Sequence, residues 1–375
     1  MNLKKKILFV GFPNSIHSEN WINSINFKKY DVFFFPTSHH KFLLNKKINF
    51  YNKNYKIELI NKIIFFILNL ISLKKLIFMP KVFLKQLIHN KYILSSYINY
   101  LKPDIIHCLE FQHAGYLLFD ALREKKFNQH KLILSNYGSD IFYFEKFQFH
   151  KKKIRKILNF FDEVVCESKR DILLCKKYNS RIKSHLILNS AGINFKVGNL
   201  LNLKLRKNII IKGYQGKFGR YFLILSYLRN LKNEFKYKTI YVYSSNLFTR
   251  IYSNIFFSDL NITFLPNMTK KKLIYYFKKS FIYIGASISD GVSTSALDSI
   301  STKTFPLQSN TATLNEIFHE NSISFNLHDF NDFKKKFLFV INNDYQAQNI
   351  VNRIYIKSKN YDYMIEKSKI LSLYV

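Results

Sequence analysis

Residues 208–222 read NIIIKGYQGKFGRYF. Ile209, Ile210 and Ile211 make an apolar, β-branched run too short for a helix, so a buried strand is expected over Asn208–Lys212. Lys212-Gly213-Tyr214-Gln215-Gly216-Lys217-Phe218-Gly219-Arg220 stands where a strand-to-helix turn belongs, and the stretch 219–231 takes the place of the helix. Three of the chain's ten glycines fall within seven residues of this turn, which lets backbone approach a ligand closely. Three cations and a helix N-terminus in one turn suit a diphosphate. In a lysine-rich chain Lys217 alone would mean little; its clustering with glycine makes the turn a candidate.

The strand at Asn208 restarts a rhythm that also runs through the first half. There the expected strands are 6–10, 31–35, 104–108, 131–135, 163–166 and 185–188, with helical patterns near 17–27, 113–124, 152–161 and 169–178. After Asn208 come strands near 239–243, 262–265, 281–285, 304–308 and 322–325, and helices near 270–279, 295–301 and 332–342. Alternation of this kind builds βαβ units on a parallel sheet. Two series, parted by the polar stretch 192–207, predict two doubly wound α/β domains. The first is expected over 1–195 and the second over 196–345, with 346–375 as a helical tail returning to the first. Residues 51–100 break the rhythm and read as two or three helices inserted in the first domain, apolar on one face and basic on the other. That insertion is either a cover for the sheet or a membrane-surface face.

The 375 residues suffice for two cores. The formal charge of +35 is mostly lysine, in a chain equally loaded with Asn, Ile, Phe and Tyr, as an AT-rich coding sequence would give. A selected basic surface is the other reading. Cys108, Cys166 and Cys175 form no CxxC pair and read as reduced thiols. Lys4–Lys6 before an apolar run imitates a signal peptide, but Gly11 and Pro13 end the run early, so a first buried strand is expected. The longest apolar run elsewhere, 63–71, is about half of a bilayer span.

Several polar strand ends are candidates for chemistry. The turn Gly11-Phe12-Pro13-Asn14-Ser15-Ile16-His17 lacks GxGxxG, so no dinucleotide cofactor is indicated. In Lys102 to Gly115, His107 is expected inside the strand and His113 at a helix start, where a ring can serve a site or simply pack. Tyr137-Gly138-Ser139-Asp140 either caps a helix or offers a carboxylate to hydroxyls. The fullest constellation is SISDGVSTSALDS, residues 287–299. Asp290 on its loop and Asp298, expected in the first helical turn, are eight apart, and the helix N-terminus favours an anion. Ordinary capping by Thr294 or Ser295 is the plainer reading.

On these residues the chain resembles glycosyltransferase family 4, the retaining GT-B enzymes. Asp290 and Asp298 stand at the spacing of that family's two carboxylates. TFPLQSNTATLNEI, ending near Glu316, resembles the strand and loop that follow, and KGYQGKFGR stands at its basic phosphate turn. KILFVGFPNSIHSENWI, KPDIIHCLEFQHAGY and NYGSDIF resemble its N-terminal domain. The likeness runs from Lys5 to about Phe325 without the insertion. It departs from the family in having aspartates for the usual glutamates and Gly291-Val292-Ser293 after the first of them.

The resemblance implies an α/β GT-B fold, two Rossmann-like doubly wound parallel-sheet domains facing a cleft. It implies transfer of a sugar, with retention, from a nucleotide-sugar to a saccharide or lipid-linked acceptor in surface polysaccharide or lipopolysaccharide synthesis. His113, Asp290 and Lys217 would be catalytic. Lys212, Gly213, Lys217, Arg220, Asp290, Gly291, Val292, Ser293, Thr294 and Asp298 would bind the donor, and Gly11, His17 and Asp140 would lie on the acceptor side. No metal and no cofactor is expected, the nucleotide-sugar being a substrate. The expected location is cytoplasmic, peripheral on the inner face of the cell membrane, with an anionic membrane surface as partner and no nucleic acid. Two other readings stay open: an inactive homologue that binds membrane or nucleic acid, and a GT-B sugar-nucleotide epimerase.

Overall fold

A computed structural model describes residues 4–38, 48–50, 79–123, 130–188, 192–311 and 313–375. The chain divides into two units. The first takes residues up to Cys166 with Asp171–Asn189 and Ile370–Val375; the second takes Glu167–Arg170 and Ser190–Lys369.

The first unit holds a parallel sheet of β1 (Lys5–Gly11), β2 (Tyr30–Pro36), β3 (Asn49–Phe50), β4 (Ile105–Leu109), β5 (Lys131–Ser135), β6 (Glu163–Cys166) and β7 (Lys183–Leu186) in the order β3-β2-β1-β4-β5-β6-β7. Helices cover both faces, so the inner strands are continuous apolar runs rather than alternating ones. Ile7 to Val10 are fully buried, as are all five residues of β4. The apparent signal-peptide imitation is therefore a central strand.

The second unit holds β8 (Asn208–Lys212), β9 (Ile240–Tyr243), β10 (Ile262–Phe264), β11 (Ser280–Gly285), β12 (Phe305–Ser309) and β13 (Ser324–Phe325) in the order β10-β9-β8-β11-β12-β13. All pairs are parallel. The chain winds outward from β8 in both directions, so the order reverses between β8 and β11. The loops leaving the carboxyl ends of those two strands therefore lie at the reversal, the place where open α/β sheets bind ligands.

Three expectations change. Residues 51–78 of the expected helical insertion lie outside the described residues, and 79–101 form one helix, Met79–Leu101, in which Pro80 sits in the first turn, where its missing N–H has no helical partner to lose. The helix expected over 113–124 begins as a π-turn, Phe111–Gly115, before Tyr116–Leu122. A further helix, Leu247–Phe256, follows β9 where none is expected from the sequence.

The last residues of the chain fill the core of the first unit. Ile370, Leu373 and Tyr374 are buried. The Tyr374 hydroxyl accepts from Trp21 Nε1 at 2.7 Å and lies 2.6 Å from His107 Nδ1, whose Nε2 is 2.8 Å from Ser135 Oγ. Burial, with Lys131 adding to it, pushes the His107 pKa down to about 3, so the ring is neutral. This ring links β4 and β5 to the terminus and takes no part in a site.

Candidate functional site

In the second unit the turn after β8 and the loop after β11 are tied together. Gly219 pairs with Ser287 as an isolated antiparallel bridge, Ile288 N donates to Phe218 O at 2.9 Å, and Arg220 N donates to Ala286 O at 3.1 Å. The glycines make this possible. A Cβ on Gly219 would lie 2.1 Å from Tyr214 O, and one on Gly213 would lie 2.6 Å from Val242 Cγ1 and 2.8 Å from Ser245 Cβ. Any other residue would push the turn off the sheet. Arg220 is folded back on the same turn, its guanidinium donating to the carbonyls of Gly216 at 3.1 Å and Gly219 at 2.8 Å. Lys212 and Lys217 extend into solvent, over the rings of Tyr214 and Phe218 at 5.7 and 5.5 Å. Partial burial lowers the Lys217 pKa.

The loop after β11 leads into the helix Thr294–Ser301 with Ser293 at its cap, making no side-chain cap bond. Asp290 Oδ1 accepts from Gly291 N at 2.9 Å, and Gly291 O accepts from Thr313 N at 3.2 Å. Ser287, Ser289, Gly291, Val292 and Ser293 are buried, so the loop is packed into place rather than draped over the surface. The helix begins at Thr294, which places Asp298 in its second turn, not the first. Asp298 meets Lys270 in an ion pair. Burial holds its carboxyl above the usual range against the pull of Lys270 and Lys212. Both lysines therefore act on one carboxylate.

Segment 167–170 belongs to the same unit and buttresses the loop. Arg170 donates to the carbonyls of Asp290 at 2.9 Å and Thr311 at 3.0 Å. Glu167 Oε2 accepts from Val292 N at 3.2 Å, and Glu316 accepts from the backbone N–H of Lys169 and, at 3.1 Å, of Arg170.

In the first unit the ends of β1, β4 and β5 make a second polar mouth. Ser15 caps the helix Ile16–Asn23, and the His17 ring lies 5.3 Å from that of Tyr137. His113 packs edge-on against Phe12, centroids 4.7 Å apart. Its backbone is fixed by Glu110, whose carboxylate accepts from His113 N at 2.8 Å and also from Ala114 N. Asp140 Oδ2 accepts from Tyr137 N at 3.0 Å and Phe111 N at 3.3 Å, and Gln112 Nε2 donates to Asp140 O at 2.8 Å. Gly11, His17, His113 and Asp140 are thus gathered at one end of the sheet.

Residues 6–168 match a family model described as glycosyl transferase 4-like. The whole chain has one fold throughout its length with known transferases. It is GT-B. The chain is similar to sucrose-phosphate synthase from Thermosynechococcus elongatus, with a TM-score of 0.74 at 11% identity, over 99% of this chain and 98% of that one. It is similar to an S. aureus TarM variant in complex with fondaparinux, α-GlcNAc-glycerol and UDP, at 0.70 and 11%, over 99% of each. A glycosyltransferase from Rickettsia africae aligns at 0.67 and 16%, over 100% of this chain and 98% of that one. No curated protein matches in sequence.

On this GT-B fold the sequence reading misses Glu110, Glu167, Arg170 and Lys270. Glu110 stands out by its backbone, with φ of 124°, a value that side chains other than glycine rarely adopt. It is buried, as is Asp140. Burial, and then the neighbouring Asp140 charge, push the Glu110 carboxyl well above the ordinary carboxylate range; burial raises Asp140 as well, with Asp171 adding to it. At neutral pH the folded state therefore keeps a proton that the unfolded chain has released. This contribution is fully present below the unfolded pKa and is lost as pH rises through the folded one. Glu110→Gln keeps an acceptor for His113 N and cannot titrate. Urea melts at about pH 5.5 and pH 8 should show a smaller loss of stability at the higher pH in this variant than in the wild type. The same loss in both would mean that Glu110 is ionised in the folded protein.

Proposed function

We propose that this GT-B protein is a retaining glycosyltransferase that moves a sugar from a nucleotide-sugar to a saccharide or lipid-linked acceptor in surface polysaccharide or lipopolysaccharide assembly. The observation that carries the reading is the bonding of the glycine-rich basic turn to the loop after β11 at the strand-order reversal of the second unit. A nucleoside diphosphate suits such a place, where backbone N–H groups, a helix N-terminus and cations converge.

In this reading Lys212 and Lys217 neutralise the leaving diphosphate as its charge develops, which is electrostatic stabilisation of the transition state. Arg220, spent on the carbonyls of its own turn, shapes that turn rather than reaching outward. Gly291, Val292, Ser293 and Thr294 present backbone to the donor, Asp290 holds sugar hydroxyls, and Asp298 holds the ribose from its ion pair with Lys270. The glycosidic bond to the diphosphate breaks as the acceptor oxygen attacks the same face of the anomeric carbon. The acceptor's proton passes to the departing phosphate oxygen. His113, Gly11, His17 and Asp140 serve the sugar and the acceptor from the first unit. The cations supply the charge that a metal would otherwise give. The protein works in the cytoplasm at the inner face of the membrane; the cationic insertion proposed to hold it there lies mostly outside the described residues.

The two aspartates test the scheme. Asp290 touches the reacting sugar, so Asp290→Asn should lower kcat. Asp298→Asn should mainly raise KM for the donor, because a ribose contact is equal in ground and transition states. Asp298→Glu should crowd the ribose, given that Lys270 already fixes the shorter side chain, and raise KM too. Full activity of both Asn variants on a verified donor would remove the aspartates from the site.

A further inference from the structure

The helix Leu247–Phe256 is turned inside out. Its buried positions are small and polar: Thr249 and Ser253. Thr249 is spent on the cap, bonding to Asn246, and Ser253 Oγ donates to Thr249 O at 2.7 Å and lies 3.1 Å from the Tyr221 hydroxyl. These small side chains let the helix lie close against Tyr221. The apolar side chains point the other way. Leu247, Phe248, Ile251, Ile255 and Phe256 are 73, 63, 50, 63 and 51% exposed. Phe222, from the helix Tyr221–Asn230, extends the same face, its ring 4.3 Å from that of Tyr252 and 6.2 Å from that of Phe248. A contiguous apolar face on a surface helix signals an interaction site rather than ordinary scatter.

Charge selects the occupant. The cations at this helix are Arg250 on it, and Arg229 and Lys232 at its C-terminal end, where Arg229 donates to Phe256 O at 3.3 Å and both pair with Asp259. The helix has no acidic residue. A second copy of a chain carrying +35 would be repelled. A nucleic acid would suit the cations and leave the aliphatic face wet. An anionic bilayer surface suits both, with apolar side chains at the acyl boundary and these cations among the headgroups.

We propose that the helix Leu247–Phe256 docks this unit on an anionic lipid surface. Its N-terminal flank is built against the basic turn: Ser245 packs on Gly213, next to Lys212. A lipid-linked acceptor would thus be met near the donor turn. This deepens the membrane side of the reading above, and the test reads lipid binding rather than turnover, so its failure leaves the donor assignment standing.

The full chain is co-sedimented with vesicles of phosphatidylcholine alone and of phosphatidylcholine with about a third phosphatidylglycerol. Wild type should pellet with the anionic vesicles only. Ile251→Glu/Ile255→Glu should bind them at least tenfold more weakly with an unchanged Tm, as both positions are exposed; Ile251→Ser/Ile255→Ser is the milder pair should the first misfold. Anionic-vesicle binding equal to wild type in the folded variants would overturn the proposal, as would no binding by wild type. Sedimentation velocity showing a wild-type dimer that the variants abolish would instead assign the face to a second copy.

Discussion

Tyr374→Ala should destabilise the first unit by about 3–5 kcal/mol, the range for removing a large buried ring. The ring is fully buried, 6.1 Å from that of Phe9 and 5.9 Å from that of His107. Its loss also strands Trp21 Nε1 and His107 Nδ1, which have their hydrogen bonds through its hydroxyl. Tyr374→Phe separates the two effects. It keeps the ring and leaves the two nitrogens unsatisfied, so it should cost about 1–3 kcal/mol. Chemical denaturation of both variants gives the answer. A loss below about 1 kcal/mol for the alanine variant would mean that the terminus does not fill this core.

Lys217→Ala should lower kcat by about 30- to 1000-fold, equivalent to about 2–4 kcal/mol of transition-state stabilisation by a positioned charge. Placement sets the size of the effect. Lys217 lies at the apex of a turn that glycine holds against the sheet and that hydrogen bonds fasten to the loop of Asp290. A cation there would meet a diphosphate at one fixed place and need little reorganisation. Lys217→Arg keeps the charge and should recover part of the rate. A fall of under threefold for the alanine variant, on a verified donor, would remove Lys217 from the chemistry.

The architecture was legible because both sheets are buried on both faces. Runs such as Ile7–Val10 and Ile209–Ile211 are then read directly as strands, and their order follows from alternation. The helix Leu247–Phe256 was not legible, for a physical reason. Its exposed face is apolar and its buried positions are Thr249 and Ser253, the reverse of the pattern that marks a core-facing helix. Candidate residues on loops that follow strands, such as Lys217 and Asp290, stood out in the sequence because glycine and small polar residues mark a close approach. Arg170, Glu167 and Glu316 form contacts across more than a hundred residues of sequence, and no local spacing carries those. Glu110 was passed over because its peculiarity is a backbone angle, which sequence does not display.

The turn 212–220 and the loop 287–294 are proposed to form a nucleoside-diphosphate site. Thermal unfolding with UDP, GDP, ADP and CDP, each against its nucleoside, tests it most directly. Ligand at about a hundredfold over Kd stabilises by about 2.7 kcal/mol, enough to raise Tm by several degrees. One diphosphate should shift Tm, its nucleoside should do so far less, and Lys217→Ala should lose most of the shift. No shift with any diphosphate, or an undiminished shift in Lys217→Ala, would contradict it.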